Sequence, residues 1–287
     1  MTDLGFVGTG RIAHSLALAL SRAGYRVAAV ANRSHHSAER LATALPDCEA
    51  LPAQGVVDRC DLVFLTVPDA AIAPVAAALH WRAGQAVVHC SGATEVSALD
   101  PAIEAGAMAG GFHPLLGFSG MGETPLAGCT ITMEADPPLA GMLEAMIAVL
   151  GCRLNRLPPG NRALYHASAG YGAGFIHVLM AEIAGVWGEW GASEADMLAA
   201  ILPMARTTLD TIERGGIAQT MPGPISRGDA GSVAAHLDAM AGMPEVDAFY
   251  RAHSLRSVDI AAGTGRIDGE AAGQLRVLLR RPSPDAE

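Results

Sequence analysis

Leu4-Gly5-Phe6-Val7-Gly8-Thr9-Gly10-Arg11-Ile12-Ala13 runs from a short apolar stretch through two glycines into an Ala/Leu-rich segment. The apolar run predicts a strand and the segment after Gly10 a helix, with one tight turn between them. In a G-x-G-x-x-A spacing, Gly8 permits the turn, Gly10 carries no side chain to keep a ligand from the backbone, and Ala13 is small enough for the helix to pack on its strand. The first turn of such a helix offers free N–H groups and the positive end of the dipole, a natural seat for phosphate. The stretch therefore predicts a dinucleotide held by its pyrophosphate against Gly8, Thr9, Gly10, Arg11 and Ile12.

The end of the next strand indicates which dinucleotide. Arg26-Val27-Ala28-Ala29-Val30-Ala31 reads as that strand and finishes at Asn32-Arg33-Ser34, about where an NAD-binding chain carries an acid for the ribose 2′-hydroxyl. No acid is present. The Arg33 guanidinium can pair with a 2′-phosphate and stack on adenine, with Asn32 and Ser34 adding hydrogen bonds, so NADP(H) is favoured over NAD(H). The alternative is Arg33 as an ordinary solvated loop residue.

Composition sets the limits. A chain of 287 residues with 51% hydrophobic and 17% charged residues can form two domains with large buried surfaces. A net charge of −10 argues against nucleic acid or an anionic membrane as partner. No secretory leader pattern and no uninterrupted bilayer-spanning apolar run are read, so a cytoplasmic protein is expected. The five scattered cysteines form no C-x-x-C pair and read as free thiols, and no H-E-x-x-H or similar spacing suggests a metal. All 19 basic residues are arginine. Without lysine there is no Schiff base and no lysine acid, and arginine binds and polarises but does not give up its proton. A proton donor must then be His, Tyr, Cys, a carboxyl group or water.

Along the chain, Ser37 to Leu45 predicts a helix capped by Ser37. Asp61 to Val67 is a strand buried on both faces. It ends at Pro68-Asp69, while the strand Gln85 to Cys90 ends at Ser91-Gly92-Ala93. Ligands of a doubly wound parallel sheet lie outside the carboxyl ends of its strands, so Val67, Pro68, Asp69 and Ser91 should border the cofactor; Asp69 also reads as a plain N-cap. Gly110 to Phe112 leads into His113-Pro114, Cys129 to Met133 gives a later strand, and six or more strands should end near Arg156. Residues 1–157 thus read as a nucleotide-binding α/β domain and 158–287, beyond Pro158-Pro159-Gly160, as an all-helical domain. Asn161 to about Gly191 reads as one long apolar helix, buried at the centre of a helical dimerisation domain. Gly170, Gly172 and Gly174 within it call for close approach of a packed helix or a ligand. Ser193 should cap a helix from Glu194 to Arg214, and the tail from Pro282 reads as disordered.

The opening fingerprint, Asn32-Arg33-Ser34, His113-Pro114, Leu164-Tyr165-His166-Ala167, and Gly223-Pro224-Ile225-Ser226-Arg227-Gly228-Asp229 with His236 beyond resemble the Rossmann-like/DUF2520 oxidoreductases over nearly the whole chain. More broadly the arrangement is similar to 6-phosphogluconate dehydrogenase, ketopantoate reductase and pyrroline-5-carboxylate reductase. The resemblance implies a Rossmann domain followed by a helical domain, an active site in the cleft between them, often a homodimer, and reduction of a small 2-oxo acid such as ketopantoate. It also leads one to expect Lys where Arg162 stands and Asn where Gly174 stands, a pair that contacts the reacting oxygen in related reductases.

Reduction of a carbonyl needs a carbon held at the nicotinamide, a donor at the developing oxyanion and a proton source. Four residues apart on one helix face, Arg162 and His166 read as a polarising guanidinium beside a proton-donating imidazole. His113 should face the cleft, to touch substrate or nicotinamide, as its counterpart does in the similar prephenate dehydrogenases, and Arg227 suits bidentate capture of a carboxylate. Each also has a structural reading: a buried histidine for His166, an ion pair with Asp229 for Arg227. Three functions are compatible with these residues: NADP(H)-dependent reduction of a 2-oxo acid, reduction of a C=N bond in imine or opine-type chemistry, and a non-catalytic NADP(H)-responsive binding protein.

Overall fold

The computed structural model describes residues 2–117 and 124–281. The expected tail from Pro282 lies outside the described residues. Elements follow in the order β1 (Asp3–Val7), α1 (Arg11–Arg22), β2 (Arg26–Ala31), α2 (His35–Thr43), β3 (Glu49–Ala50), α3 (Ala53–Arg59), β4 (Leu62–Leu65), α4 (Asp69–Ala78) and β5 (Ala86–His89). Then come α5 (Asp100–Glu104), β6 (Met108–Leu115), β7 (Thr130–Ala135), α6 (Leu139–Val149), β8 (Arg153–Arg156) and α7 (Arg162–Gly172). The helical remainder comprises α8 (Gly174–Gly188), α9 (Glu194–Gly215), α10 (Ile217–Thr220), α11 (Ala230–Ala239), α12 (Pro244–Gly263) and α13 (Gly269–Arg280).

The strands form one eight-stranded sheet of order β3-β2-β1-β4-β5-β6-β7-β8, parallel throughout except for the antiparallel pair β6/β7. The reversal of strand order between β1 and β4 is the doubly wound switch point. Apolar residues cover both faces, with Phe6 stacked on Phe64 at 4.8 Å and Phe112 edge-on to Phe64. At 0% exposure for all three rings, this aromatic stack fixes β1, β4 and β6 relative to each other.

The chain divides into two compact units after Gly174, so α7 belongs with the sheet, where the sequence placed the boundary at Pro158. In the second unit, Val233, Val258, Leu275 and Leu279 from α11 to α13 form a core of their own. Ser193 caps α9 as expected, in a reciprocal capping box with Asp196.

Three local expectations are corrected. The α2 cap is Ser34, whose Oγ accepts a hydrogen bond from the Ser37 N–H at 3.4 Å. The single helix from Asn161 to Gly191 is broken at Ala173, whose φ of −131° and ψ of −74° leave the helical basin between Gly172 and Gly174. Flanking glycines remove the intrinsic preference that would hold the helix straight. Nor is the long apolar segment buried in this chain, because α8 contributes no buried residue. Counted together, residues 162–188 are long and apolar enough to cross a bilayer by length and composition, unlike the uninterrupted-run reading of the sequence, although Arg162 at its start is fully buried against the sheet.

Candidate functional site

The first unit gathers its polar side chains along the carboxyl ends of its parallel strands. At β1, Gly8 has φ of +104°, and a Cβ there would stand 2.5 Å from the Thr66 carbonyl oxygen, so only glycine fits. A Cβ on Gly10 would meet nothing within 4 Å, so the space over the start of α1 is open. No acid stands in the first turn of α1 and no side chain caps it, leaving its N–H groups and dipole to an anion. A cleft of about 1080 Å³ opens there, lined by Gly8 to Ile12, by Asn32 and Arg33 beyond β2, and by Val67, Pro68 and Asp69 beyond β4. Arg33 is exposed and no carboxylate lines that end of the cleft. These residues fit a dinucleotide: adenosine at β2, pyrophosphate at β1, and the nicotinamide running toward β4 and β5 in strand order.

Two of the expected cofactor residues are engaged elsewhere. The Ser34 hydroxyl caps α2. The Ser91 Oγ accepts hydrogen bonds from the Ala93 and Thr94 N–H groups at 3.1 and 3.0 Å, which shapes the turn after β5. Asp69 is the first residue of α4 behind an N-cap at Pro68 and makes no side-chain cap; its exposed carboxylate lines the cleft.

Beyond β5 and β6 lies a second cluster, built by α7 on one face of the sheet. Across the β6/β7 pair, Gly111 is opposite Glu134 and His113 opposite Thr132. Residues two apart on a strand share a face. On α7, Arg162, Tyr165 and His166, at i, i+3 and i+4, form the facing row. Arg162 fills the place of the missing Gly111 side chain: a Cβ there would run into the guanidinium. Its Nε donates to Glu134 Oε2 at 2.6 Å and its Nη1 to the Ser91 carbonyl at 2.9 Å. Glu95 completes the anchorage, its two carboxylate oxygens accepting from the Gly160 and Arg162 N–H groups at 3.2 Å.

One turn on, the Tyr165 hydroxyl and His113 Nδ1 share a hydrogen bond of 2.8 Å. The His166 ring stands 6.3 Å from that of His113. Gly92, in the turn after β5, lies beneath both: a Cβ there would come within 2.7 Å of His166 Nδ1 and 2.9 Å of His113 Cε1. Burial, then the His166 and Arg162 charges, push the His113 imidazole down to about 4, with Asp69 opposing. Burial raises the Tyr165 phenol above its ordinary value, against the opposing pull of Thr132 and Arg162. At neutral pH His113 is therefore a neutral ring and Tyr165 a protonated hydroxyl. Deeper in the sheet His89, 0% exposed, is held down at about 3, first by burial and then by Arg162.

The expected meeting of His113, His166 and Arg162 is thus observed, but Arg162 does not present a cation to a ligand. Its side chain is 0% exposed and ion-paired to Glu134, so the sequence expectation of a guanidinium at a reacting oxygen is corrected to an anchoring role. Tyr165, quoted in the sequence only as part of a motif, is the residue the reading missed; its i+3 spacing from Arg162 was the available signal. Arg227 belongs to the second unit, exposed at the end of a 3₁₀ turn from Ile225. Asp229 caps α11 there, accepting from the Ser232 N–H and Oγ.

A doubly wound sheet with an open turn at the start of α1 defines a fold of the Rossmann class. Residues 2–114 match the Rossmann-like domain model, and residues 129–257 match that of a domain of unknown function, DUF2520. The chain is a Rossmann-like/DUF2520 protein. No curated protein matches it. Among solved structures, a Thermotoga maritima protein superposes with a TM-score of 0.72 at 19% identity, over 91% of this chain and 98% of that one. An imine reductase from Pseudomonas sp. gives 0.65 at 18% identity over 96% and 99%. A reductive aminase from Aspergillus terreus, in complex with NADPH and ethyl-5-oxohexanoate, gives 0.63 at 15% identity over 97% and 92%. The chain shares its fold with these structures.

Proposed function

We propose that this protein is an NADP(H)-dependent reductase that transfers a hydride to the carbonyl carbon of a small 2-oxo acid of the ketopantoate type. The observation that carries the reading is the alignment of the nucleotide cleft and the Tyr165–His113–His166 cluster along successive strand ends, from Arg33 beyond β2 to His113 on β6. Bound NADPH would supply the hydride. Gly8 and Gly10 let its pyrophosphate meet the N-terminus of α1, and Arg33 with Asn32 would take the 2′-phosphate. Val67 and Pro68 would border the nicotinamide ribose. A neutral hydroxyl of raised pKa matches the strongly basic alkoxide that forms when a ketone takes up hydride.

Reduction of C=N bonds is the second reading, favoured by the burial of Arg162 and the exposure of Asp69 in the cleft. An iminium ion arrives already protonated and would be tolerated by a site with a carboxylate and no accessible guanidinium from α7. We also propose a cytoplasmic homodimer in which a second copy covers the apolar surface of α8, where Ile176, Val178 and Leu179 are each more than 40% exposed.

Oxidation of NADPH by the purified protein, followed against 2-oxo acids including ketopantoate, against cyclic imines, and against 2-oxo acid plus amine mixtures, tests the assignment. Turnover with 2-oxo acids alone is the expected result. Turnover confined to imines or mixtures would transfer the assignment to C=N chemistry, and silence with NADPH bound would favour a binding protein.

A further inference from the structure

We propose that Tyr165 is the catalytic acid of this site and His113 the relay that restores its proton, with Arg162, Glu95 and Glu134 as positioning residues. The inference rests on the reductase reading and assigns the proton transfer within it.

Geometry selects the pair. Among the three ring side chains of the cluster, Tyr165 and His113 are the pair joined by a hydrogen bond, at 2.8 Å. The guanidinium that sequence spacing placed at the oxygen is taken up by Glu134 and the Ser91 carbonyl. His113 is too weak a base to hold a second proton at neutral pH. The phenol is thus the one group of the pair that carries a transferable proton there. As hydride reaches the substrate carbon, the C=O π pair moves to oxygen, and that oxygen takes the Tyr165 hydroxyl proton. The resulting phenolate accepts a hydrogen bond from His113 Nδ1–H. His113 then gives that proton to the phenolate oxygen while solvent protonates Nε2, which returns a neutral tyrosine and the other neutral tautomer of the ring. No further oxidant or reductant is needed.

The anchoring residues hold this pair without touching substrate. The Glu134–Arg162 ion pair sits one helical turn below Tyr165 and two residues along β6 and β7 from the His113/Thr132 pair. Glu95 pins the first turn of α7 through two backbone N–H groups. The row Arg162, Tyr165, His166 therefore arrives over Gly111, His113 and Gly92 in fixed register.

Tyr165→Phe and His113→Leu, compared with the wild-type protein, test the proposal through three readouts. Tyr165→Phe should lower kcat with the best carbonyl substrate by about 100-fold or more, with NADPH affinity in a fluorescence titration unchanged within about two-fold. In the cofactor-free protein, the ultraviolet phenolate absorbance lost in Tyr165→Phe isolates the titration of this one tyrosine. His113→Leu should move that titration to higher pH, because the charged phenolate loses more than the neutral hydroxyl when its hydrogen-bond partner is removed. Wild-type kcat in Tyr165→Phe, or a Tyr165 titration unmoved or lowered by His113→Leu, would overturn the proposal. A wild-type protein silent with every substrate would sink the reductase reading, whereas the phenolate titration would still decide whether the pair exists.

Discussion

Gly111 shows how one absent side chain shapes the site. It lies on β6 opposite Glu134, and its missing Cβ is the space that the Arg162 guanidinium occupies at 0% exposure. The arginine cannot swing away at low cost, because Nε is held by Glu134 and Nη1 by the Ser91 carbonyl. Gly111→Ala should therefore destabilise the fold by about 1–3 kcal/mol, the usual cost of overpacking a filled core. Thermal unfolding should show a midpoint lower by several degrees. An unchanged midpoint would mean that Arg162 does not fill this space. Gly10 offers the opposite case, with open space over its Cα; glycine there leaves room for a ligand, whereas at Gly111 it serves the packing.

At the scale of elements, strands and caps were far more legible than helix–helix relations. β2 was read from Arg26 to Ala31, as observed, because the apolar run Val27 to Ala31 between Gly24 and Asn32 has few alternatives. The Ser193 cap was equally direct, since capping is decided within four residues. The α2 cap slipped from Ser37 to Ser34 because a serine stands at both positions and local chemistry alone does not choose. β3 and α3 were not read, being short elements set by pairing with β2 and packing on β1 and β2. The same limit produced the main error at the site. Spacing placed Arg162 and His166 on one face of α7, which is correct, but not which partner that face meets. Only the antiparallel register of β6 and β7 puts Glu134 beneath Arg162 and His113 beneath Tyr165, and register is a long-range property.

For the whole molecule, the excess of apolar residues that composition revealed is divided unequally. The sheet unit buries it in two clusters on either side of the strands, and α11 to α13 enclose a third. α8 buries nothing and α9 buries only Met197, while Ile176, Val178, Leu179, Met204 and Leu209 are exposed. A Cβ added at Gly170, Gly172 or Gly174 would likewise meet nothing within 4 Å, so no described residue makes the close approach that the sequence called for. A second copy seated on this surface would supply it. Sedimentation should then give a dimer at micromolar concentration, and Val178→Glu combined with Leu179→Arg should shift it toward monomer. A wild-type monomer under those conditions would contradict the proposed assembly.

The proposed NADP(H) assignment sets the cofactor's 2′-phosphate against Arg33, the discriminating group in the cleft over α1. Its most direct test is calorimetric titration of NADPH and NADH into the wild-type protein and Arg33→Ala. One lost charge-assisted pair contributes about 1.5–3 kcal/mol, or roughly 10- to 150-fold in affinity. The account predicts that wild type prefers NADPH and that Arg33→Ala loses affinity for NADPH by about that factor while binding NADH almost as before. Equal losses for both nucleotides, or a wild-type preference for NADH, would contradict it.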